Sequence, residues 1–205
     1  MSAASNGKVY LYNYHPSALL RSAESAENIL VADYAHPVVG ASRVRKVEMH
    51  PEEPLFLSLA EEYFFLWDIE MSSKPRLFEK ASSTKLYSCA WSSAHEFVLG
   101  GENRALKKLD LRQLSSGKSD KCVVWKVPVA HEGTVRDIAC SPLVPYWIAT
   151  VGDDGCARVW DTRYGQHAAR VLKAHSNVVT KVSSSSSFPL LPLFPFQKNM
   201  GFFCC

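Results

Sequence analysis

The sequence predicts an all-β protein built from a repeated unit, and three observations carry that prediction. An aromatic or aliphatic residue followed by Asp closes three short runs, Phe64 to Asp68, Ala105 to Asp110 and Ala157 to Asp161, with the aspartates spaced by 42 and 51 residues. Each run follows another short apolar stretch (Phe56 to Leu59, Phe97 to Gly100, Trp147 to Val151) across turn-forming residues, the signature of successive antiparallel strands. The 205 residues are 47% hydrophobic and 21% charged, an ordinary globular balance that excludes a collagen-like, fibrous or wholly disordered chain.

Ser5 to Asn13 matches the turn and third strand of a unit, with Asn6 in the turn and Tyr12 at the Trp position, and no first or second strand is expected before it. The chain therefore reads as opening in mid-repeat. Val44 to Pro51 opens the first whole unit and Leu86 to Ser92 the second, whose length is extended by a polar loop, Gln113 to Lys121. The third unit is the clearest. It has a leading loop at Ala130-His131-Glu132, a strand to Cys140 and a Ser141-Pro142 break. A second strand to Val151, the turn Asp153-Asp154-Gly155 and a strand ending in Trp160-Asp161 complete it. Arg170 to His175 and Val178 to Val182 begin one more unit. The pattern then stops at five serines, Ser183 to Ser187, followed by a Phe/Pro/Leu run. The expected organisation is a repeat domain over 1–182 and a low-complexity, disordered tail over 183–205.

Several function classes are disfavoured by composition. Twenty-three Lys and Arg against twenty Asp and Glu give a net charge of +3 without a like-charge block, so no nucleic-acid footprint is present. Six cysteines without a CxxC pair fit a reducing intracellular compartment. Met1 to Tyr14 carries one lysine and no apolar run of signal-peptide length, and Phe188 to Phe196 falls far short of the roughly 20 apolar residues a membrane span needs. No HExxH, GxSxG or phosphate-cradling glycine loop occurs. Asp153 and Asp154 beside Gly155 read as turn formers rather than a catalytic pair. His131 and His175, 44 residues apart, read as members of separate units rather than a shared metal site. The expectation is a non-enzyme with no catalytic, cofactor or metal site.

The period, the His-headed loop and the Trp-Asp ending resemble the WD40 family of β-propellers, whose four-stranded blades take roughly 40 to 45 residues each. The resemblance covers about residues 5 to 182 and implies an incomplete propeller, three whole blades and two partial ones, forming an open arc. A seven-bladed ring would need about 290 residues. It also implies a hydrogen-bonded stack within a blade, formed here by His131, Thr150, Asp154 and Trp160. The other blades depart from it: Leu109 stands in the Trp place, and Glu61 and Asn103 stand in the Asp place, so those blades are expected to be less rigidly held.

The order of units, with Asp110-Leu111-Arg112, Val135-Arg136-Asp137 and Trp160-Asp161-Thr162-Arg163, is similar to WD40 proteins that interact with the EARP and GARP vesicle-tethering complexes. That resemblance implies a noncatalytic scaffold in the cytoplasm, peripheral at endosomes or the trans-Golgi, with tethering-complex subunits as partners. Binding is expected through propeller loops, with Arg136 and the Gly152 to Gly155 turn as contacts. A second reading stays open. Ile148 to Arg163 is similar to the box by which some WD40 proteins dock on the adaptor of cullin-RING ubiquitin ligases, with Asp161 and Arg163 as docking residues. A non-functional truncated gene product is a third. Cys204-Cys205 resembles the twin-cysteine tail of prenylated small GTPases, whose nucleotide loops are absent here; a read-through or spliced tail explains the pair more simply.

Overall fold

The computed structural model describes residues 2–3, 8–13, 29–35, 43–70, 74–114, 122–144, 146–173, 178–184 and 202–204. They form antiparallel sheets in chain order: a three-stranded sheet, three four-stranded blades and a two-stranded sheet. The first sheet holds β1 (Ser2–Ala3), β2 (Lys8–Asn13) and β3 (Ile29–Ala35). The first blade is β4 (Val44–Met49), β5 (Leu55–Ala60), β6 (Tyr63–Asp68) and β7 (Leu77–Lys80). The second is β8 (Leu86–Trp91), β9 (Glu96–Gly101), β10 (Leu106–Asp110) and β11 (Val123–Val127), with a helical turn α1 (Leu111–Leu114) after β10. The third is β12 (Val135–Cys140), β13 (Trp147–Gly152), β14 (Ala157–Asp161) and β15 (Arg170–Leu172). Finally β16 (Val182–Ser184) pairs with β17 (Phe202–Cys204). The array is open, as an incomplete propeller is.

Burial follows strand position. The middle strands lie between neighbouring blades on both faces, so β5 is buried at every residue, and its sequence is a nearly unbroken apolar run. The outer strands alternate instead, half-buried then exposed along β7 and most of β11. The core lies in the seams. Leu57, Phe64, Phe97, Leu99 and Leu109 fill the seam between the first and second blades, and Leu106, Val127, Ala130, Ile138 and Trp160 that between the second and third. Gly100 is required in the latter seam, since a Cβ there would come within 2.9 Å of Val135 Cγ1.

Three sequence expectations need correction. Ser2 and Ala3 pair with Tyr10 and Val9, so the stub of a strand does precede β2; two residues are too few to show periodicity. The tail is not wholly without structure, because Phe202–Cys204 pairs with Val182–Ser184, and the boundary placed after residue 182 runs through a strand. The physical reason is the free backbone edge of β16, which takes up a second strand from distant residues that share no repeat phase. The polar loop begins later than expected, since Gln113 and Leu114 end α1. Asn6, His175 and Ser185 to Gly201, together with Cys205, lie outside the described residues.

Candidate protein-interaction site

The four residues of the expected stack meet in the third blade. Trp160 Nε1 donates to Thr150 Oγ1 at 2.8 Å, that hydroxyl lies 2.8 Å from His131 Nε2, and His131 Nδ1 lies 2.9 Å from Asp154 Oδ1. A carboxylate only accepts, so Nδ1 carries the proton and Nε2 accepts from the Thr150 hydroxyl. One neutral tautomer thus satisfies the whole chain. Burial pushes the His131 imidazole below its ordinary value, more than Asp154 raises it. Burial would raise the Asp154 carboxyl, but bonds from Arg158, His131 and the Glu132 backbone outweigh it and hold the group well below the usual carboxylate range. Arg158 Nη1 donates to Asp154 Oδ2 at 2.5 Å; its 2.6 Å approach to His131 Nδ1 joins two protonated nitrogens and is a packing contact. Gly152 permits the arrangement, because a Cβ there would lie 2.7 Å from His131 Nδ1.

The other blades keep different halves of this stack. In the first, Trp67 Nε1 donates to Ser58 Oγ at 2.8 Å, matching Trp160 and Thr150 in register. Its hairpin is one residue tighter, and Glu61 adopts a positive φ of 51° there and faces Lys85 at 3.8 Å. The second blade keeps the turn half in neutral form: Asn103 Nδ2 donates to Ser82 Oγ at 3.2 Å, where the third blade has Asp154 and His131. Its indole half is gone, with Leu109 and Leu99 in the places of Trp160 and Thr150.

The partner-binding candidates fall into two groups. Asp161 and Arg163 form a bidentate clamp at 2.9 and 2.7 Å, and the Arg163 guanidinium lies 3.5 Å from the Tyr146 ring centroid. The hydrogen bonds from Arg163 hold the Asp161 carboxyl below its usual range. The second blade repeats this clamp with Asp110 and Arg112 at 3.0 and 2.8 Å. Arg136 belongs elsewhere. The pairing register shifts between Val44 and Lys46, between Leu86 and Ser88, and between Val135 and Asp137, so each innermost strand carries a β-bulge at the same place. The residue left over in each bulge is Arg45, Tyr87 or Arg136, and a bulge re-aims exactly one side chain per strand out of the ladder.

These three side chains form one row. The Arg45 and Arg136 guanidinium carbons lie 4.5 and 5.0 Å from the Tyr87 ring centroid. Arg136 is also held by Asp153 through both carboxylate oxygens, at 2.5 and 2.9 Å, which lowers the Asp153 carboxyl. Arg45 has no carboxylate partner among the described residues, and its buried Nε has no hydrogen-bond partner. Beneath the row, the next residue of each strand links the blades. Asp137 accepts from Lys46 Nζ at 3.1 Å, from Ser88 Oγ at 2.7 Å and from the Val182 backbone N–H at 3.1 Å. Burial alone would lower Lys46, but Asp137 outweighs it and raises the ammonium pKa. Sequence reasoning singled out Arg136 but missed Arg45 and Tyr87. The available signal was their shared place, directly after the first apolar residue of each opening strand.

Among the described residues no group of three or more His, Cys, Asp or Glu could hold a metal ion, and no helix is long and apolar enough to cross a membrane. Cys89, Cys122, Cys140 and Cys156 are buried and form no disulfide among the described residues, and burial pushes the Cys140 thiol up to about 12.

Comparison with known proteins fits this geometry. Residues 124–161 match the model of the WD40 family, described as WD domain, G-beta repeat, running from the outer strand of the second blade to the Trp-Asp end of β14. The human EARP and GARP complex-interacting protein 1 is 29% identical over 145 residues, covering 67% of this chain and 36% of that protein. The EARP-interacting protein homolog of Gekko japonicus is 28% identical with the same coverage. The protein transport protein SEC31 of Meyerozyma guilliermondii is 31% identical over 107 residues, 48% of this chain and 8% of that protein. The chain therefore spans about a third of the length of the first two of these relatives. The chain thus carries a WD40 repeat within an open array of three bulged four-stranded blades, and over part of its length it is similar to these relatives.

Proposed function

We propose that this chain is a noncatalytic interaction scaffold whose partners are subunits of vesicle-tethering complexes, bound through the face that carries Arg45, Tyr87 and Arg136. The row of bulge residues carries the reading. Three neighbouring strands deliver two guanidinium groups and an aromatic ring to one surface, and Arg45 brings a positive charge that no carboxylate of the described chain neutralises. Aromatic and arginine side chains together are the commonest hot-spot composition at protein interfaces. The matching partner surface is an acidic segment with an apolar rim. The similarity to proteins named for the EARP and GARP complexes supports the tethering assignment, and with it a cytoplasmic site of action at endosome or trans-Golgi membranes.

The test is affinity purification from cells with the wild-type chain and with Arg45→Ala/Tyr87→Ala, scoring tethering subunits by mass spectrometry. The double variant removes two half-buried side chains from the bulges and leaves the Asp137 contacts in place. The expected result is capture by the wild type and loss of at least tenfold in the variant. Equal capture by both would place the interface elsewhere, and no capture by either would overturn the tethering assignment.

A further inference from the structure

The loss of the Trp-hydroxyl pair in the second blade leaves a physical trace. A cavity of about 130 Å³ lies at the seam between the first and second blades, with Leu109 in its wall together with Phe64, Leu114, Cys122, Glu79 and Lys107. Its position is defined by the repeat. In the next seam, Trp160 packs with Leu106, Val127 and Ala130, and the residues in matching register around the cavity are Phe64, Glu79 and Ala81. The first and third blades each bury an indole at this place, Trp67 at 0% and Trp160 at 3% exposure. The second blade supplies a leucine, and the space is left.

Its size and charge suit an incoming aromatic ring. For scale, an apolar cavity of ~150 Å³ takes up benzene in other proteins, and this one is slightly smaller with polar as well as apolar walls. Glu79 stands where the next seam has Val127, and no cation pairs with it among the described residues. Burial pushes its carboxyl up and the Lys107 ammonium down, and Lys107 Nζ also donates to the Ala81 carbonyl at 2.5 Å. A carboxylate accepts an indole N–H, and an ammonium favours the face of the ring. The two polar walls are thus complementary to the positive edge and negative face of one indole.

We propose that this cavity is a docking site for a tryptophan side chain presented by a partner protein, the indole entering where the neighbouring blades place Trp67 and Trp160. The proposal rests on the reading of the chain as an interaction scaffold, but it names a different surface from the Arg45 and Tyr87 row. N-acetyl-tryptophanamide is the probe, titrated into the 205-residue chain while methyl and amide resonances of Leu109, Leu114 and Val123 are followed by NMR. Saturable shifts at these residues are expected, at least tenfold weaker with N-acetyl-leucinamide and lost in Leu109→Trp, which fills the space from within. Val123→Phe, at the half-buried wall, is the second variant and is expected to act likewise should Leu109→Trp fail to fold. Three outcomes would overturn the proposal: no saturable shift, binding that survives a folded blocking variant, or shifts that grow with protein concentration before any probe is added. The last would assign the cavity to an exposed aromatic of a second copy, such as Tyr164. Because the probe is read without any partner, its failure is separable from failure to capture tethering subunits.

Discussion

The second and third blades share a strand plan, a clamp of Asp and Arg, and a bulge, yet they are held by different chemistry. In the third, a neutral histidine, a threonine, a buried aspartate and an indole are joined in one unbroken chain of hydrogen bonds. In the second, the turn half survives as Asn103 and Ser82, the core half is Leu99 and Leu109, and a cavity marks the difference. The comparison separates what a blade needs from what it can replace. Apolar contact across the seams and the Asp-x-Arg clamp are common to both, whereas the complete polar stack belongs to the third blade.

The largest test of this contrast is Trp160→Ala. It removes a buried indole from the seam and leaves Thr150 without a donor, so a cost of about 3 to 5 kcal/mol is expected. For a chain of this size that lowers the melting temperature by roughly 2 to 4 °C per kcal/mol, measured by calorimetry. Leu109→Ala is expected to cost less, near about 2 kcal/mol at the low end of its class, because a cavity already borders that side chain. Equal losses at the two positions would mean that the stack adds nothing beyond its apolar area.

Thr150→Val is the next in size and isolates the polar part. The side chain keeps its shape but leaves the Trp160 N–H and His131 Nε2 unpaired at a fully buried site, for about 2 to 4 kcal/mol in total. The matching change in the second blade, Leu99→Val, removes one methylene and should cost about 1 kcal/mol. A thermal shift for Thr150→Val no larger than that for Leu99→Val would sink the claim that the hydrogen bonds matter.

How much of this was legible in the sequence depends on the residue. The third blade was readable because His131, Asp154 and Trp160 each perform a role that few other residue types fill. The strands themselves were readable from alternation and turn signals. Arg45 and Tyr87 were harder to see, because a bulge is a property of two paired strands; within the sequence only their shared place after the first apolar residue marks them, and it shows only when the opening strands are compared. Ser82 was missed for a related reason: it stands in the place of His131 as Asn103 stands in that of Asp154, and the substitution is visible only as a pair across 21 residues. The pairing of Phe202–Cys204 with Val182–Ser184 joins a strand to a segment outside the repeat, so no period could announce it.

A pH series sharpens the same comparison, since the third blade's stack titrates and the Ser82 and Asn103 link does not. The folded-state pKa of His131 is lowered, so the unfolded chain takes up the proton first. The stabilisation is fully present above the unfolded value of about 6.5 and is lost as pH falls through the lower folded value. Asp154, also lowered, adds its loss only below its unfolded value of about 3.9. Hydrogen-exchange protection of β13 and β14 amides, corrected for intrinsic rates, is therefore expected to fall as pH drops below about 6.5. Protection of β9 and β10 should stay level over that range. A parallel fall in both blades would show that they open as one unit.

The smallest expected effect is at Arg163, and it decides between two readings of the Asp-x-Arg ending. Docking to a ligase adaptor through Arg163 would require the guanidinium to leave Asp161 and the Tyr146 ring, two contacts it already makes within its own blade. The same clamp at Asp110 and Arg112 lies at the end of a different blade, which is what a fastening of strand end to following turn would produce twice and a single docking box would not. Arg163→Ala should therefore leave capture of a cullin-RING adaptor at the wild-type level, with only a small drop in melting temperature. Arg112→Ala should do the same. If Arg163→Ala alone abolished capture of that adaptor while Arg112→Ala did not, the clamp of the third blade would have to be counted as a docking surface, and the two blades would differ in function as well as in their hydrogen bonding.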